Sequence, residues 1–338
     1  MTKKRKSSAF TLILAVIAIV LLVQAISTAG DMLFGSMKDE SVKITVSDGM
    51  NSRSVAQLLK ENGVIKNTLA FEIVSNMKGA DKKYHAGEFE IHKGSGYIAL
   101  INGLTYNSGY TTANITVPEG STLAQIADIA AKTGYVGKDE FMAALGEDYD
   151  YEFLSGIKRE NKLEGYLFPD TYNISNTMSA RDIINLMLKR FGEVYKDEYS
   201  ERARGLGYSD DEIVTLASVI EAEAASDNDR PLVSGVFHNR LKSKTYPYLE
   251  SCATVQYILG ERKAILSNSD IKIKSPYNTY INKGLPAGPI CSPGKAAIEA
   301  ALYPADTDYM FFQSDAYGKI YYAKTLEEHE QIRRRIQQ

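Results

Sequence analysis

The sequence predicts an α+β protein that follows an N-terminal transmembrane helix. Three observations predict this organisation. The basic run Lys3-Lys4-Arg5-Lys6 is followed by 22 residues without a charge. A pattern of strand, glycine turn and amphipathic helix then occurs twice, which is typical of a small α+β module. The rest of the chain has mostly helical periodicity and ends in two strand-like runs, which indicates a mixed helical domain with a C-terminal β-hairpin.

Length and composition limit the class of protein. A chain of 338 residues has room for about two domains. With 44% hydrophobic and 24% charged residues, it has the composition of an ordinary globular protein. The net charge of -3 and the lack of a basic stripe argue against a nucleic-acid partner.

The uncharged stretch 9–30 predicts a single membrane-spanning helix. Its length is enough to cross a bilayer core of about 30 Å. The basic flank predicts that residues 1–8 form a cytoplasmic tail and that the chain after Asp31 lies outside the cell membrane. A cleaved signal peptide is the alternative, with a weak cleavage site at 27–30. Its apolar core would be shorter, about 7–15 residues, so we favour an uncleaved anchor.

The repeat lies within residues 41–137. Ile44–Gly49 aligns with Ile115–Gly120, and the register continues without a gap through the copies 44–65 and 115–136. Any two β-α units resemble each other to some degree. An ungapped match over more than twenty positions nevertheless favours a duplicated unit.

The remaining elements follow from periodicity and turn signals. In the first copy we predict a helix over 52–61, with Val55, Leu58 and Leu59 inward. In the second we predict a helix over 123–132, with Ile126, Ala127 and Ile129 inward. Between the copies we predict a helix over 69–77, a strand over 87–91 and a short helix over 95–104. Within the domain 138–338 we predict helices over 139–145, 180–195, 209–225, 231–241, 293–302 and 327–338. Runs 309–313 and 319–323, joined at Gly318, predict the hairpin.

The candidate catalytic residue is Glu221, an acid in an otherwise almost uncharged helix. Ser209 and Glu212 have the spacing of a capping box, and apolar or small residues follow on nearly every face. Such a helix is packed on most sides, so we expect burial to raise the pKa of a carboxyl group on it. A carboxyl that stays protonated near neutral pH suits general-acid catalysis. The alternative is a helix end that surfaces at 221–223 and leaves both acids solvated.

Cysteine and histidine indicate no cofactor or metal. Cys252 and Cys291 lie on the outer side of the membrane in this interpretation, where two thiols can oxidise, but they can equally be two small buried residues. The four histidines show no metal-binding spacing. We therefore expect neither a metal nor a cofactor.

Three polar segments, 164–172, 254–257 and 277–280, are interpreted as loops that suit a polyhydroxylated ligand. They also suit ordinary turns, and only the acid nearby makes glycosidic cleavage a candidate reaction. Most glycosidases need two carboxylates. Glu223 lies about 200° around the helix from Glu221 and points elsewhere, whereas Glu164 is a candidate partner.

Five motifs together resemble the endolytic murein transglycosylase family, also called YceG-like. They are Leu216-Ala-Ser-Val-Ile-Glu-Ala-Glu223, Glu164-Gly-Tyr-Leu-Phe-Pro-Asp170, Val236-Phe-His-Asn-Arg-Leu241, Ser275-Pro-Tyr-Asn-Thr-Tyr280 and Gly284-Leu-Pro-Ala-Gly-Pro-Ile290. Each motif alone is weak, but the five are specific as a set. The resemblance extends from the membrane anchor to about His329.

The resemblance implies a single-pass membrane protein whose catalytic domain, 138–338, faces the cell wall. It implies that 41–137 is a LysM-like module. It implies cleavage of the MurNAc–GlcNAc β-1,4 bond in nascent glycan strands, with formation of a 1,6-anhydroMurNAc end. Glu221 would protonate the departing oxygen and then accept the proton of the C6 hydroxyl as it attacks C1. This internal nucleophile makes a second carboxylate unnecessary.

The resemblance, together with the polar segments, also implies a set of site residues. The expected substrate-binding residues are Glu164, Tyr172, Asn239, Thr254, Gln256, Asn278 and Tyr280, and Glu223 is expected to support the site. Many relatives carry Ser-Asp-Pro-Thr where this chain has Ser251-Cys-Ala-Thr254, so we leave position 252 out of the catalytic set. As a hypothesis, a Cys252–Cys291 disulfide could join two site loops.

The expected partners are peptidoglycan strands, the cell membrane and the peptidoglycan synthases of the elongation or division machinery. Two alternatives stay open. One is a muramidase that uses water, and the other is a membrane-tethered wall-binding or divisome scaffold without activity.

Overall fold

A computed structural model describes residues 40–105, 112–224, 226–263 and 265–336. The predicted cytoplasmic tail and transmembrane helix, residues 1–30, lie outside this described part. Among the described residues, none of the helices combines the length and hydropathy that crossing a bilayer requires. The described chain is a mixed α+β fold, which confirms the α+β part of the predicted fold class, whereas the transmembrane helix and the LysM-like module stay predictions.

Six strands and twelve α-helices form the described part of the chain. The strands are β1 Ser41–Val46, β2 Gly87–His92, β3 Thr112–Thr116, β4 Thr171–Ser175, β5 Phe311–Ser314 and β6 Ile320–Ala323. The first six helices are α1 Ser52–Glu61, α2 Thr68–Met77, α3 Tyr97–Thr105, α4 Leu123–Ala131, α5 Lys138–Ala144 and α6 Ala180–Val194. The other six are α7 Asp197–Leu206, α8 Asp210–Glu223, α9 Arg230–Lys242, α10 Cys252–Leu259, α11 Lys295–Leu302 and α12 Leu326–Ile336. The strands pair as three two-stranded sheets, β1 with β2, β3 with β4 and β5 with β6.

The chain forms two compact units. The smaller contains the described residues up to Asn114 together with Thr133–Val136 and Asn173–Ile183. The larger contains Ile115–Lys132, Gly137–Tyr172 and the described residues from Ile184 onward. Most of the second repeat copy therefore belongs to the larger unit. The domain boundary predicted at residue 137 stays a prediction.

The smaller unit has its own core. β1 and β2 are antiparallel, with Ser41 opposite His92 and Val46 opposite Gly87. Helices α1 and α2 pack against each other, and Phe71 meets Tyr97 edge to face with ring centroids 5.5 Å apart. The fully buried side chains of this core include Val55, Leu59, Phe71, Phe89, Ile91, Tyr97, Leu100 and Leu104.

The two repeat copies share their local geometry. Gly49 and Gly120 both turn the chain at a positive φ, 75° and 76°, a region that favours glycine. In each copy the N-cap side chain, Asn51 or Thr122, accepts a hydrogen bond from the backbone three residues on. These matches extend the sequence repeat to backbone conformation. Duplication as its origin stays a prediction.

The larger unit is organised around α8. All eight residues of Ile213–Ile220 are buried, so this helix is surrounded as its sequence predicted. The predicted capping box is present: the Ser209 hydroxyl accepts from Glu212 N–H at 3.2 Å, and the Glu212 carboxylate accepts from Ser209 N–H at 2.8 Å. Helix α11 packs along α8, with α7, α9 and α10 around them. The helix thus holds its last turn, which carries Glu221, in a fixed place.

The C-terminal hairpin is confirmed, with β5 and β6 antiparallel and Phe311 opposite Ala323. One interpretation of the sequence was wrong. The segment 254–257 is not a loop but part of helix α10, which ends at Gly260 with φ of 70°. Helix α7 and strand β4 were not predicted.

Removing the cap of α8 tests how much its start contributes. Ser209→Ala should lower the free energy of unfolding by about 1 kcal/mol, because it leaves a backbone N–H without its acceptor. Ser209→Thr keeps a hydroxyl at the cap and should lose less. Chemical denaturation followed by circular dichroism measures both, and equal losses would contradict a capping role.

Candidate active site

The Glu221 carboxylate lies at the end of α8 and accepts two hydrogen bonds. Its Oε1 accepts from Nη2 of Arg230 at 2.8 Å, and its Oε2 accepts from the Gly294 backbone N–H at 2.9 Å. Only 6% of the side chain is exposed. The helix itself carries no cation near this position, so the fold supplies one from α9. Both contacts stabilise the ionised carboxylate and fix its direction.

Arg230 is the central cation of this site. It is the first residue of α9, and its side chain is 9% exposed. Besides Glu221, its guanidinium contacts Asp227 closely and lies 3.6 Å from Oε2 of Glu119. Three carboxylates therefore surround one guanidinium. Partial burial and the neighbouring Glu221 charge raise the pKa of Glu119.

Glu119 reaches the site from the turn that follows β3. Backbone bonds hold this turn in place: Gly120 N–H donates to Ser292 O at 2.9 Å, and Ser292 N–H donates to Ser121 O at 2.8 Å. A Cβ atom on Gly294 would lie 1.9 Å from Oε1 of Glu119. A side chain at 294 would therefore displace this carboxylate from its present position.

A cavity of about 820 Å³ in the larger unit adjoins this cluster. Its lining includes Gly120 and Ala222, which are the chain neighbours of Glu119 and Glu221. Other lining residues are Leu123, Gln125, Asn161, Glu164, Gln256, Tyr257, Arg262, Tyr277, Ile290 and Cys291. The wall thus combines apolar surface with amide, phenol and charged groups, as sites for small polar ligands do.

Glu164 is a second buried acid in the wall of the cavity, only 2% exposed. Its Oε1 accepts from Leu123 N–H at 3.2 Å and its Oε2 from the Tyr257 hydroxyl at 3.1 Å. Burial raises the pKa of Glu164 to about 7, against the opposing effect of these two donors. Glu164 therefore titrates near neutral pH beside the cavity.

Of the other expected binding residues, Gln256 lines the cavity and donates to Lys263 O at 3.0 Å. The rest bond to nearby protein groups: Tyr172 to Phe168 O, Asn239 to Thr307 O and Tyr309 O, Thr254 to Ser251 O, Asn278 to Ile271 O and Ile273 O, and Tyr280 to the Cys252 thiol. None of these five lines the cavity. The Glu221 carboxylate, by contrast, bonds to Arg230 and Gly294.

Glu223 points away from Glu221, as its helical spacing predicted. Its Oε1 accepts from the Ser251 hydroxyl at 2.5 Å and lies 3.5 Å from Ala253 N. Burial raises the pKa of Glu223. These contacts connect α8 to the start of α10, which fits a supporting role.

The hypothetical disulfide is absent, because Cys252 and Cys291 are both free thiols in the structure. Cys252 is exposed, with Sγ 3.0 Å from the Tyr280 hydroxyl. Cys291 is buried, and its thiol donates to Ser218 O at 3.3 Å. The two side chains thus have different partners on different elements.

Sequence reasoning missed Glu119, Arg230 and Gly294. The acid stands in Pro118-Glu119-Gly120, which we used only to align the repeat. The arginine precedes Pro231, which we used only to place a helix start. Neither residue has a local pattern that connects it with Glu221, and the connection exists only in the folded chain.

The fold is that of YceG-like proteins. The crystal structure of a yceG-like protein from Listeria monocytogenes matches 87% of this chain and all of its own, with a TM-score of 0.58 and 30% identity. The model of the YceG-like family matches residues 44–335. The chain therefore belongs to the YceG-like family, which confirms the resemblance.

Two relatives carry the name endolytic murein transglycosylase. The one from Bacillus subtilis is 36% identical over 305 residues, which is 86% of this chain and 83% of the relative. The one from Streptococcus pneumoniae serotype 2 is 31% identical over 321 residues, or 86% of this chain. This chain spans only 57% of the streptococcal relative.

The titration of Glu164 gives a pH-dependent stability. The folded protein keeps the proton up to about pH 7, whereas an unfolded carboxyl releases it near 4.5. Stability from this group is therefore lost as pH rises between those values. Glu164→Gln does not titrate, so its free energy of unfolding relative to wild type should increase by about 3 kcal/mol between pH 4.5 and pH 8.

Chemical denaturation of both proteins at the two pH values measures this change. The comparison at pH 4.5, where Glu164 is mostly protonated, controls for packing differences between the two side chains. A stability difference that does not vary with pH would contradict the shifted titration.

Proposed function

We propose that this protein is an endolytic lytic transglycosylase of peptidoglycan, with Glu221 as its general acid and base. The observation that carries the proposal is the Glu221 carboxylate, which is held by Arg230 and Gly294 while its chain neighbour Ala222 lines a cavity of about 820 Å³. Relatives named endolytic murein transglycosylase support this substrate class.

The reaction needs two proton transfers, one from Glu221 and one back to it. Glu221 protonates the oxygen between MurNAc and GlcNAc as the C1–O bond breaks. The C6 hydroxyl oxygen of MurNAc then bonds to C1, and its proton goes to Glu221. The products are a 1,6-anhydroMurNAc end and a free GlcNAc hydroxyl. Because the nucleophile belongs to the substrate, no water is consumed.

The contacts of Glu221 suit the donation of that proton. Arg230 and the Gly294 N–H interact more strongly with a carboxylate than with a neutral carboxyl group. As the proton leaves, the developing negative charge meets donors that are already in place and need not reorganise. The same contacts keep the oxygen atoms oriented when the proton returns.

Several further features belong to this proposal. Residues 9–30 would anchor the protein in the cell membrane with residues 1–8 in the cytoplasm and the catalytic domain outside. Residues 41–137 would form a LysM-like module that binds glycan or spaces the catalytic domain from the membrane. Peptidoglycan synthases of the elongation or division machinery would be partners. A scaffold without activity is the alternative that an activity assay excludes.

A muramidase that uses water is the second candidate. One observation favours it, because Glu119 gives the site a second carboxylate, which hydrolytic glycosidases use. The products separate the two reactions, since an anhydro end is lighter than a reducing end by one water.

Substitution of Glu221 tests the proposal. Wild-type protein incubated with nascent, uncrosslinked glycan strands should release fragments with anhydro ends, identified by mass spectrometry. Glu221→Gln keeps the shape of the side chain and one acceptor oxygen but has no proton to give, so turnover should fall at least about a hundredfold.

Glu223→Gln is the matched control, since it changes an acid on the same helix turn that faces α10. It should retain most of the turnover. Full activity in Glu221→Gln would refute the proposal, and reducing ends from the wild type would establish the muramidase instead.

A further inference from the structure

We propose that Glu119 is a positioning carboxylate of this active site, acting on Glu221 through the Arg230 guanidinium, and that Gly294 leaves the space it occupies. This inference rests on the proposed function, because it concerns how Glu221 is kept ready to carry a proton. Nothing in the local sequence of Glu119 connects it with Glu221, which lies about a hundred residues further along the chain.

The geometry connects the two acids through one atom. Oε1 of Glu221 and Oε2 of Glu119 lie 2.8 and 3.6 Å from the same nitrogen, Nη2 of Arg230. The separation of these oxygens cannot exceed the sum of the two distances. Glu119 and Glu221 therefore have the same guanidinium nitrogen as a neighbour, and Glu119 can act on Glu221 through Arg230.

Burial makes this charge arrangement effective. Glu221 and Arg230 are 6% and 9% exposed, so solvent screens their interaction weakly. Glu119 is 49% exposed and can exchange its proton with water. The charged groups facing the cluster are Glu119 on its turn, Asp227 on the loop before α9 and Arg230 on α9. The thiol of Cys291 also faces it, and burial raises the pKa of that thiol.

These charges have opposite effects on Glu221. The guanidinium favours the ionised carboxylate, whereas a second negative charge nearby favours the protonated form. Glu119 therefore offsets part of the effect of Arg230. Without it, nothing on this turn would offset the attraction between Arg230 and the Glu221 carboxylate, and donation of a proton to the leaving oxygen would lose the support of the second negative charge.

Gly294 supports this assignment independently. Its φ of -74° is open to any residue, so the backbone does not require glycine. What glycine provides is space for Glu119, whose Oε1 would be 1.9 Å from a Cβ at this position. An alanine at 294 would displace the Glu119 carboxylate while leaving its charge on the chain.

The test is the pH dependence of kcat/KM for wild type, Glu119→Gln and Gly294→Ala. In both variants the alkaline limb should move to lower pH, with a loss of about tenfold in kcat/KM on that side. The loss should become smaller towards acidic pH. Gly205→Ala is the glycine control, because Gly205 lies on α7 with open space around it, and its profile should match the wild type.

Three results would overturn the inference. One is an unchanged pH profile in Glu119→Gln, whatever its maximal rate. Another is a shift in Gly294→Ala alone, which would assign the effect to the Gly294 N–H on Glu221. The third is a change in Glu119→Gln from one product end to the other, which would make Glu119 a group that acts on water.

The two variants keep the test usable if one of them misfolds, and circular dichroism identifies that case. Failure of this inference is also distinct from failure of the proposed function. The pH profile of kcat/KM for Glu119→Gln tests this inference, whereas the turnover of Glu221→Gln tests the proposed function.

Discussion

The ion pair between Glu221 and Arg230 is the interaction on which the rest of the site depends. Glu221 is an acid in the last turn of α8, and Arg230 is a cation at the start of α9. Each stands at the end of its helix where the helix dipole disfavours its charge. Pairing offsets both penalties, and it also supplies the partner that a charge shielded from water requires. Exchange of Arg230 would leave the Glu221 carboxylate without its cation, whereas Arg230 would keep Asp227 and Glu119 beside it if Glu221 were exchanged.

Helix α8 makes this pairing precise in position. Because Ile213–Ile220 is buried on all faces, the helix has little freedom to rotate or slide. Its last turn then directs two acids to different places. Glu221 meets α9 and the start of α11, whereas Glu223 holds the start of α10. One rigid element thus sets the relative position of the three helices that border the site.

Local signals in the sequence predicted much of this fold. The cap at Ser209 and the apolar run after it defined α8 nearly to the residue, and Gly318 with its flanking alternation defined the hairpin. The polar residues Thr254 and Asn278 were harder to interpret. Thr254 in helix α10 and Asn278 in its loop donate to nearby backbone carbonyl groups rather than extend into the cavity. The Glu119–Arg230 contact escaped prediction because tertiary packing alone creates it.

The turn that carries Glu119 has a counterpart in the first repeat copy, where Asp48 occupies the equivalent position and is exposed. The same arrangement of strand, turn and helix thus carries an acid in both copies. Asp48 in the first copy is exposed to solvent, whereas Glu119 in the second lies beside the Arg230 guanidinium. Residues 115–132 therefore belong to the larger unit, together with Gly137–Tyr172 and the residues from Ile184 onward. The segment 133–136 between them belongs to the smaller unit. The catalytic unit is assembled from discontinuous stretches of sequence. A fragment that starts at residue 138 would keep Glu221 but lack the strand and turn that deliver its neighbouring acid.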